Sequence, residues 1–356
     1  MGSTILVTGV SRYIGARTAR ELAASPHVDR VIGIDAIAPE FNLGEAEFVR
    51  ADVRNPIVGR VLAQSEADIV VHLSLSTGGQ SRTAQVSRKE ANVMGTMQLL
   101  AMCQAQRSVR HVVLKSTGSV YPAGHNAPAI YTENAAVNAR VGSGFVRDAI
   151  DVESYVRALP RRRSDVGISV LRFTHILGAH VKTVMADYLN SAVVPVPFGF
   201  DARMQFLHED DAVGALVAAA SGEPVGTVNV AADGVLTLSQ VLRLGRRPYA
   251  PVFTQTGRLL GAISRWSGVS NLSGEHIDYL MYGRCLDTTR MKQTLHYHPR
   301  YSTRETVQLY ARDVWGIHPS PSRVIPGTQL TATAATCALE AGPTEKTSPK
   351  DERAVS

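Results

Sequence analysis

Thr4-Ile5-Leu6-Val7-Thr8-Gly9-Val10-Ser11-Arg12-Tyr13-Ile14-Gly15 stands near the start of the chain and decides how the rest is read. A short β-rich apolar run, residues 5–7, passes through a glycine-bearing turn into a stretch with helical character from Gly15 onward. Gly9 permits the tight strand-to-helix turn, and Gly15 lets the helix pack close to the strand. The helix N-terminus then presents free N–H groups and partial positive charge to a pyrophosphate. Gly9, Arg12, Tyr13, Ile14 and Gly15 are therefore candidates for holding a dinucleotide.

The same alternation continues outward. Strand candidates lie at residues 5–7, 30–34, 46–50, 69–73, 111–114 and 169–173, each β-rich and bounded by turn residues or charges. Helical stretches at 15–24, 56–64, 90–106 and 148–159 separate them; in the last, Ile150, Val152, Tyr155, Val156 and Leu159 recur at helix spacing. Such alternation predicts an α/β chain, a doubly wound parallel sheet of the Rossmann type whose ligands bind at the carboxyl ends of the strands. After Gly178 the rhythm breaks. Residues 194–199 (Val-Pro-Val-Pro-Phe-Gly) read as a loop, a helix starts near Asp210, and residues 227–231 resemble a late strand. The expected organisation is a dinucleotide-binding domain over 1–180 with returns near 206–233, a smaller C-terminal substrate lobe from 181–205 and 234–317, and a disordered Pro/Ser/Thr/Ala-rich tail over 318–356.

Asp35 ends the second strand, 20 residues beyond Gly15, where a carboxylate can accept both hydroxyl hydrogen bonds of an adenosine ribose. It would repel a 2′-phosphate, which favours NAD over NADP. Asp52 and Val53, after the third strand, suit an adenine amino group.

Composition narrows the alternatives. A chain of 356 residues with 44% hydrophobic and 19% charged residues is long and apolar enough to fold without staples. No apolar run approaches the roughly 18 residues of a membrane span, and no secretory signal precedes Ile5, so a cytoplasmic location is expected. Cys103, Cys285 and Cys337 are odd in number and widely spaced, which suits neither a disulfide framework nor a metal site. Lys and Arg exceed Asp and Glu by 37 to 31, but the excess is spread along the chain, and with no recognition motif a nucleic-acid partner is not expected. The amphipathic stretch 259–266, flanked by Arg258 and Arg265, reads as a core-facing helix of the substrate lobe rather than a membrane contact.

With these residues in place the chain resembles the extended short-chain dehydrogenase/reductase superfamily, in its NAD-dependent epimerase/dehydratase group. The likeness runs from about Thr4 to Tyr310. Beyond the glycine loop it rests on Asp52-Val53, His72-Leu73-Ser74, Asn92-Val93-Met94-Gly95-Thr96, Ser116-Thr117-Gly118-Ser119-Val120-Tyr121, and Leu171-Arg172 through Gly178. It continues in Phe206-Leu207-His208-Glu209-Asp210-Asp211 and Asn229-Val230-Ala231. Arg12 and the strand end Leu114-Lys115-Ser116-Thr117 are similar to an actinobacterial UDP-glucose 4-epimerase-like subgroup. The resemblance implies bound NAD, a homodimer formed through the helices at 90–106 and 148–159, and cofactor contacts at Leu73, Ser74, Asn92 and Lys115. It further implies a hydroxyl after the fifth strand, matched by Thr117 with Ser116 beside it, and a Tyr-x-x-x-Lys pair that exchanges the proton while hydride moves.

That pair is absent. Counting back from Glu153 puts Phe145 at the Tyr position and Ala149 at the Lys position, and none of the eleven tyrosines has a lysine four residues on. Tyr121 is a candidate substitute acid; Lys115 and, in a shifted register, Arg147 are candidate cations. Two other departures concern substrate. Arg12 replaces the middle glycine of the loop and could meet a phosphate directly. His175 stands where sugar-nucleotide epimerases resemble one another in an Asn, and Met204 replaces an expected Arg, leaving Arg203 as the nearby guanidinium. The first functional expectation is an NAD-dependent epimerase/dehydratase-type oxidoreductase acting on a nucleotide sugar or related hydroxyl/carbonyl substrate with an atypical active site. The alternative is a catalytically inactive NAD(P)-binding sensor or scaffold of the same fold.

Overall fold

The computed structural model describes residues 2–76, 82–137, 144–253 and 274–317. The stretch 259–266 and the tail 318–356 lie outside the described residues.

Seven strands form the central sheet: β1 (Ser3–Thr8), β2 (Val28–Asp35), β3 (Glu47–Arg50), β4 (Ile69–His72), β5 (His111–Thr117), β7 (Gly167–Phe173) and β12 (Gly226–Val230). The short strand β6 (Ile130–Tyr131) falls outside the sheet, whose order is β12-β7-β5-β4-β1-β2-β3. Every neighbouring pair runs parallel. Parallel strands covered on both faces read as continuous apolar runs, and the β1 and β4 runs are of this kind. Successive side chains part to opposite sides. Ile5 and Val7 join the core beneath α1 (Tyr13–Ala23) and α7 (Glu209–Ser221), whereas Leu6 joins the core beneath α2 (Ile57–Ser65), α4 (Gly95–Ala105) and α5 (Phe145–Arg162). Strand order reverses at β1, between β2 and β4, which sets the glycine loop at the switch point of the sheet.

A separate apolar cluster marks the smaller lobe: Met185 and Tyr188 from α6 (Val184–Leu189), Leu238 and Val241 from α8 (Leu238–Leu244), Leu280 from the Gly274–Tyr282 helix, and Tyr310 from the Thr303–Trp315 helix. Three local expectations are corrected. Residues 194–197 form a strand, β9 (Val194–Pro197), parallel to Tyr249–Val252. Both prolines are tolerated because Val194 N and Phe198 N make the bonds to that partner while the intervening odd positions face away. The expected continuous helix over 90–106 begins as a π-helical turn, Glu90–Met94, ahead of α4. The helix expected at 148–159 is longer, Phe145–Arg162. Among the described residues no helix is long and apolar enough to cross a membrane.

Candidate active site

The glycine loop is held tightly. Gly9 adopts φ +85, and a Cβ there would lie 2.8 Å from the Leu73 carbonyl carbon; a Cβ on Gly15 would collide with the Gly9 carbonyl oxygen. Arg12 caps α1 without a side-chain cap bond, and the first turn carries no acid, so its N–H groups remain available to an anion. Ser11 donates to Asp35 Oδ2 through its N–H (3.0 Å) and its hydroxyl (2.7 Å), tying loop to strand end. Arg12 turns its guanidinium toward the segment after β4, where Nη1 donates to Leu75 O at 3.0 Å. Burial lowers the Arg12 pKa, with Asp35 opposing that shift.

A cavity of about 800 Å³ opens beside this loop, within the range of ligand sites. Gly9, Arg12, Tyr13, Ile14, Gly15 and Leu73 form one wall. Lys115, Ser116 and Thr117 form the floor, Phe145 and His175 stand on the wall, and Lys182, Glu275, His276, Tyr279 and Arg284 close it from the smaller lobe. Tyr13 is stacked on His180, centroids 4.6 Å apart, and meets Phe41 edge-on at 5.2 Å. His180 Nδ1 lies 2.7 Å from Glu209 Oε1, so the first helix and the segment before α6 share one aromatic wall.

The two floor hydroxyls differ. Ser116 Oγ donates to Glu153 Oε1 at 2.6 Å and is buried away from the cavity's centre. Thr117 Oγ1 accepts from Ser119 N at 3.1 Å, which leaves its own proton free to donate toward a ligand. Lys115 makes no hydrogen bond or ion pair with any described residue; its Nζ sits 5.9 Å from the Phe173 ring centre. Burial, with Arg12 nearby, lowers its pKa to about 8.

Several expected residues lie elsewhere. Tyr121 is fully buried, stacked on Tyr131, and does not line the cavity. Its hydroxyl accepts from Arg172 Nη1 (2.8 Å) and donates to Asn229 Oδ1 (2.9 Å), so it supports the floor rather than reaching a ligand. Asn92 clamps Ser76 through two bonds and also reaches Asp148. Asp52 is engaged by Arg54, whose hydrogen bond lowers its pKa, and lies outside the cavity with Val53 and Ser74. Arg147 pairs with Asp151 along α5, outside the cavity. Phe145 lines the cavity, but Ala149 is buried in the cluster of Val120, Tyr121 and Tyr131. His175 packs on Tyr279 with centroids 4.5 Å apart, and burial, aided by Arg284 and His276, holds it neutral with a pKa near 3. Arg203 is exposed on its strand and Met204 is buried; the guanidinium that enters the cavity from this region is Arg284, whose N–H donates to Arg203 O. Arg284, Tyr279, Glu275, His276 and Arg88 carry no motif in the sequence. Arg88 is paired with Asp148 at 2.9 Å within the wall.

Comparisons with known proteins follow the same outline. An uncharacterized protein of Mycobacterium tuberculosis is 43% identical over 312 residues, 86% of this chain and 83% of its own. A UDP-glucose 4-epimerase of Thermotoga maritima solved with UDP-glucose superposes with a TM-score of 0.68 at 18% identity, covering 88% of this chain and 99% of that one. A dTDP-glucose 4,6-dehydratase of Bacillus anthracis in complex with NAD gives 0.67 at 16%, covering 88% and 97%. The profile described as the NAD dependent epimerase/dehydratase family matches residues 5–231, from the first strand through the last strand of the sheet. On its sequence and its sheet alike, the chain belongs to the NAD-dependent epimerase/dehydratase family.

Proposed function

We propose that the protein is an NAD-dependent oxidoreductase of the epimerase/dehydratase type, acting on a nucleotide sugar or related hydroxyl/carbonyl substrate through an atypical site. The carrying observation is the single cavity that joins the glycine loop, the Lys115-Ser116-Thr117 strand end and polar groups of the smaller lobe. The residues fit a dinucleotide: the first-turn N–H groups are uncapped, Gly9 and Gly15 allow the loop its close approach, and Asp35, just outside the cavity lining and held on Oδ2 by Ser11, keeps lone pairs at the strand end for a ribose hydroxyl. Asp35 favours NAD, and Arg12 adds a cation beside the pyrophosphate position.

The bound dinucleotide supplies hydride exchange. Thr117 orients the reacting oxygen by donating its hydroxyl proton, and Ser116, anchored on Glu153, fixes the strand end from which Thr117 projects. Lys115 Nζ holds or releases the exchanged proton; with a pKa near 8, about a tenth of it is unprotonated at pH 7. Phe145 closes the wall without taking part in proton transfer.

Ala149 favours a second reading, an inactive NAD(P)-binding sensor or scaffold, because a buried methyl group cannot lower a neighbour's pKa as a lysine does. A homodimer would use the outer face of α4, the π-helical turn before it and α5, where Met97, Met94 and Tyr155 remain exposed; light scattering tests it, with a monomer as the adverse result. For the function, calorimetry with NAD, NADH, NADP and NADPH comes first. Tight NAD(H) binding that weakens in Asp35→Ala supports the cofactor site, and binding of none of the four overturns both readings. Hydride exchange that falls in Thr117→Ala separates the enzyme from the scaffold, which shows no exchange with any substrate.

A further inference from the structure

Arg284 is 8% exposed and lies on a wall shared by the main cavity and a small recess bounded by Thr117, Ser119, His175 and Tyr279. Among the described residues its Nε has no hydrogen-bond partner, and Nη1 meets only Ser119 Oγ, at 3.4 Å. Glu275 and Asp278 interact with it electrostatically, yet no described carboxylate comes within ion-pair distance. Tyr279, 2% exposed, faces the same recess with its ring centre 5.5 Å from the guanidinium carbon; its hydroxyl lies against the Gln205 backbone N–H and donates to no described residue. A buried guanidinium without a carboxylate partner is strongly unfavourable, and because Arg284 and Tyr279 also line the main cavity, their unused donors call for a ligand group that reaches them from there.

The chemistry of the recess selects that ligand. A planar guanidinium fork matches the two oxygens of a carboxylate. Burial holds His175 and His276 neutral, with pKa values near 3 and 4, so Arg284 is the buried cation at the recess, Lys182 standing on the exposed part of the same wall. Glu275 and Asp278 oppose further negative charge nearby, which disfavours a phosphate dianion. Ser119 N also donates to Thr117 Oγ1, the hydroxyl read as orienting the reacting oxygen, so the recess adjoins the chemistry. We propose that Arg284, Ser119 and Tyr279 form a subsite for a carboxylate carried by the substrate within a few bonds of its reacting carbon, as in a uronic acid or a hydroxy acid. This subsite rests on the reading of the cavity as a substrate site and narrows its substrate class.

The test uses the full chain loaded with NAD and two probe pairs that differ at the carboxylate: UDP-glucuronic acid against UDP-glucose, and glucuronic acid against glucose. In calorimetry the carboxylate member of at least one pair binds at least tenfold more tightly. Arg284→Gln abolishes that preference, Arg284→Lys keeps part of it, and NAD affinity stays unchanged in both. Tyr279→Phe, which removes a hydroxyl whose proton is uncommitted and keeps the ring beside Arg284, reduces the preference. Equal affinity within both pairs, binding of none of the four probes, or a preference that survives Arg284→Gln overturns the proposal. Wild-type protein that binds no NAD overturns the proposed function instead; NAD binding with no carboxylate preference overturns the subsite alone.

Discussion

Removing either member of the buried pair beneath Ser116 should cost unequal amounts of stability. Glu153 is fully buried and receives Arg172 Nε at 3.0 Å and 3.2 Å, Arg172 Nη2 at 2.6 Å, Arg157 Nη1 at 2.7 Å and Ser116 Oγ at 2.6 Å. Arg172, whose side chain is 3% exposed, has beyond Glu153 only the Tyr121 hydroxyl and ring. Glu153→Leu strands a buried cation, at about 3–5 kcal/mol. Arg172→Met leaves Glu153 with Arg157 and Ser116 and loses charge-assisted bonds, at about 1.5–3 kcal/mol. An unfolding entropy of about 2.1 cal/mol/K per residue over the unit Met1–His318 converts these to Tm losses of about 4–8 °C and 2–4 °C. The double variant should fall near Arg172→Met alone, because no charge is then stranded. Calorimetric melts of the four proteins at pH 7 read the cycle. Equal losses, the reverse order, or a double variant that shows the full sum would refute the reasoning.

Burial lowers the folded pKa of Lys115 from 10.5 to about 8; between those values the unfolded chain holds a proton the folded chain has lost, so stability rises with pH across that window. Lys115→Met lacks this rise and should be more stable than wild type at pH 7, by at most on the order of 3 kcal/mol, with the gap closing by about pH 10.5; a variant less stable at pH 7 would show the amine to be paired. Phe145→Tyr should leave the melt within about 1 °C because the ring faces the cavity, whereas Ala149→Lys buries an ammonium among Tyr121, Tyr131 and Leu286 and should lower Tm by several degrees. If Ala149→Lys melts like wild type, the position is not core. Gly15→Ala should lose most NAD affinity by calorimetry, since its methyl group displaces the Gly9 carbonyl; unchanged affinity would mean the loop can shift freely.

The strand-turn-helix at Gly9 and the strand end at Asp35 were legible because both are set by local backbone shape and by the interval between two residues. The absent Tyr/Lys pair was legible as spacing, and the structure gives its physical meaning: Phe145 at the wall, Ala149 in the core. Tyr121 misled because a motif position carries no burial; its hydroxyl is committed to Arg172 and Asn229, residues far along the chain. Arg284 and Tyr279 were invisible for the same reason, since their place in the cavity depends on how the smaller lobe folds back over Thr117. Val194–Pro197 read as a loop because proline content is local, while its pairing with Tyr249–Val252 is not.

The network under the floor bears on how the chain could be divided. Its members come from β5, α5, β7 and β12: Ser116, Glu153, Arg172 with Tyr121, and Asn229. A fragment ending before β7 would contain Glu153 without Arg172, and one ending before β12 would contain Tyr121 without Asn229. The glycine loop is therefore not a portable module. In a nascent chain the floor can close only after residue 229 has emerged, and pairings of such sequence separation form slowly. Glu153 waits in water only for Arg172, whereas Tyr121 lacks Asn229 until β12 arrives, which makes completion of the floor a late event in the chain's folding.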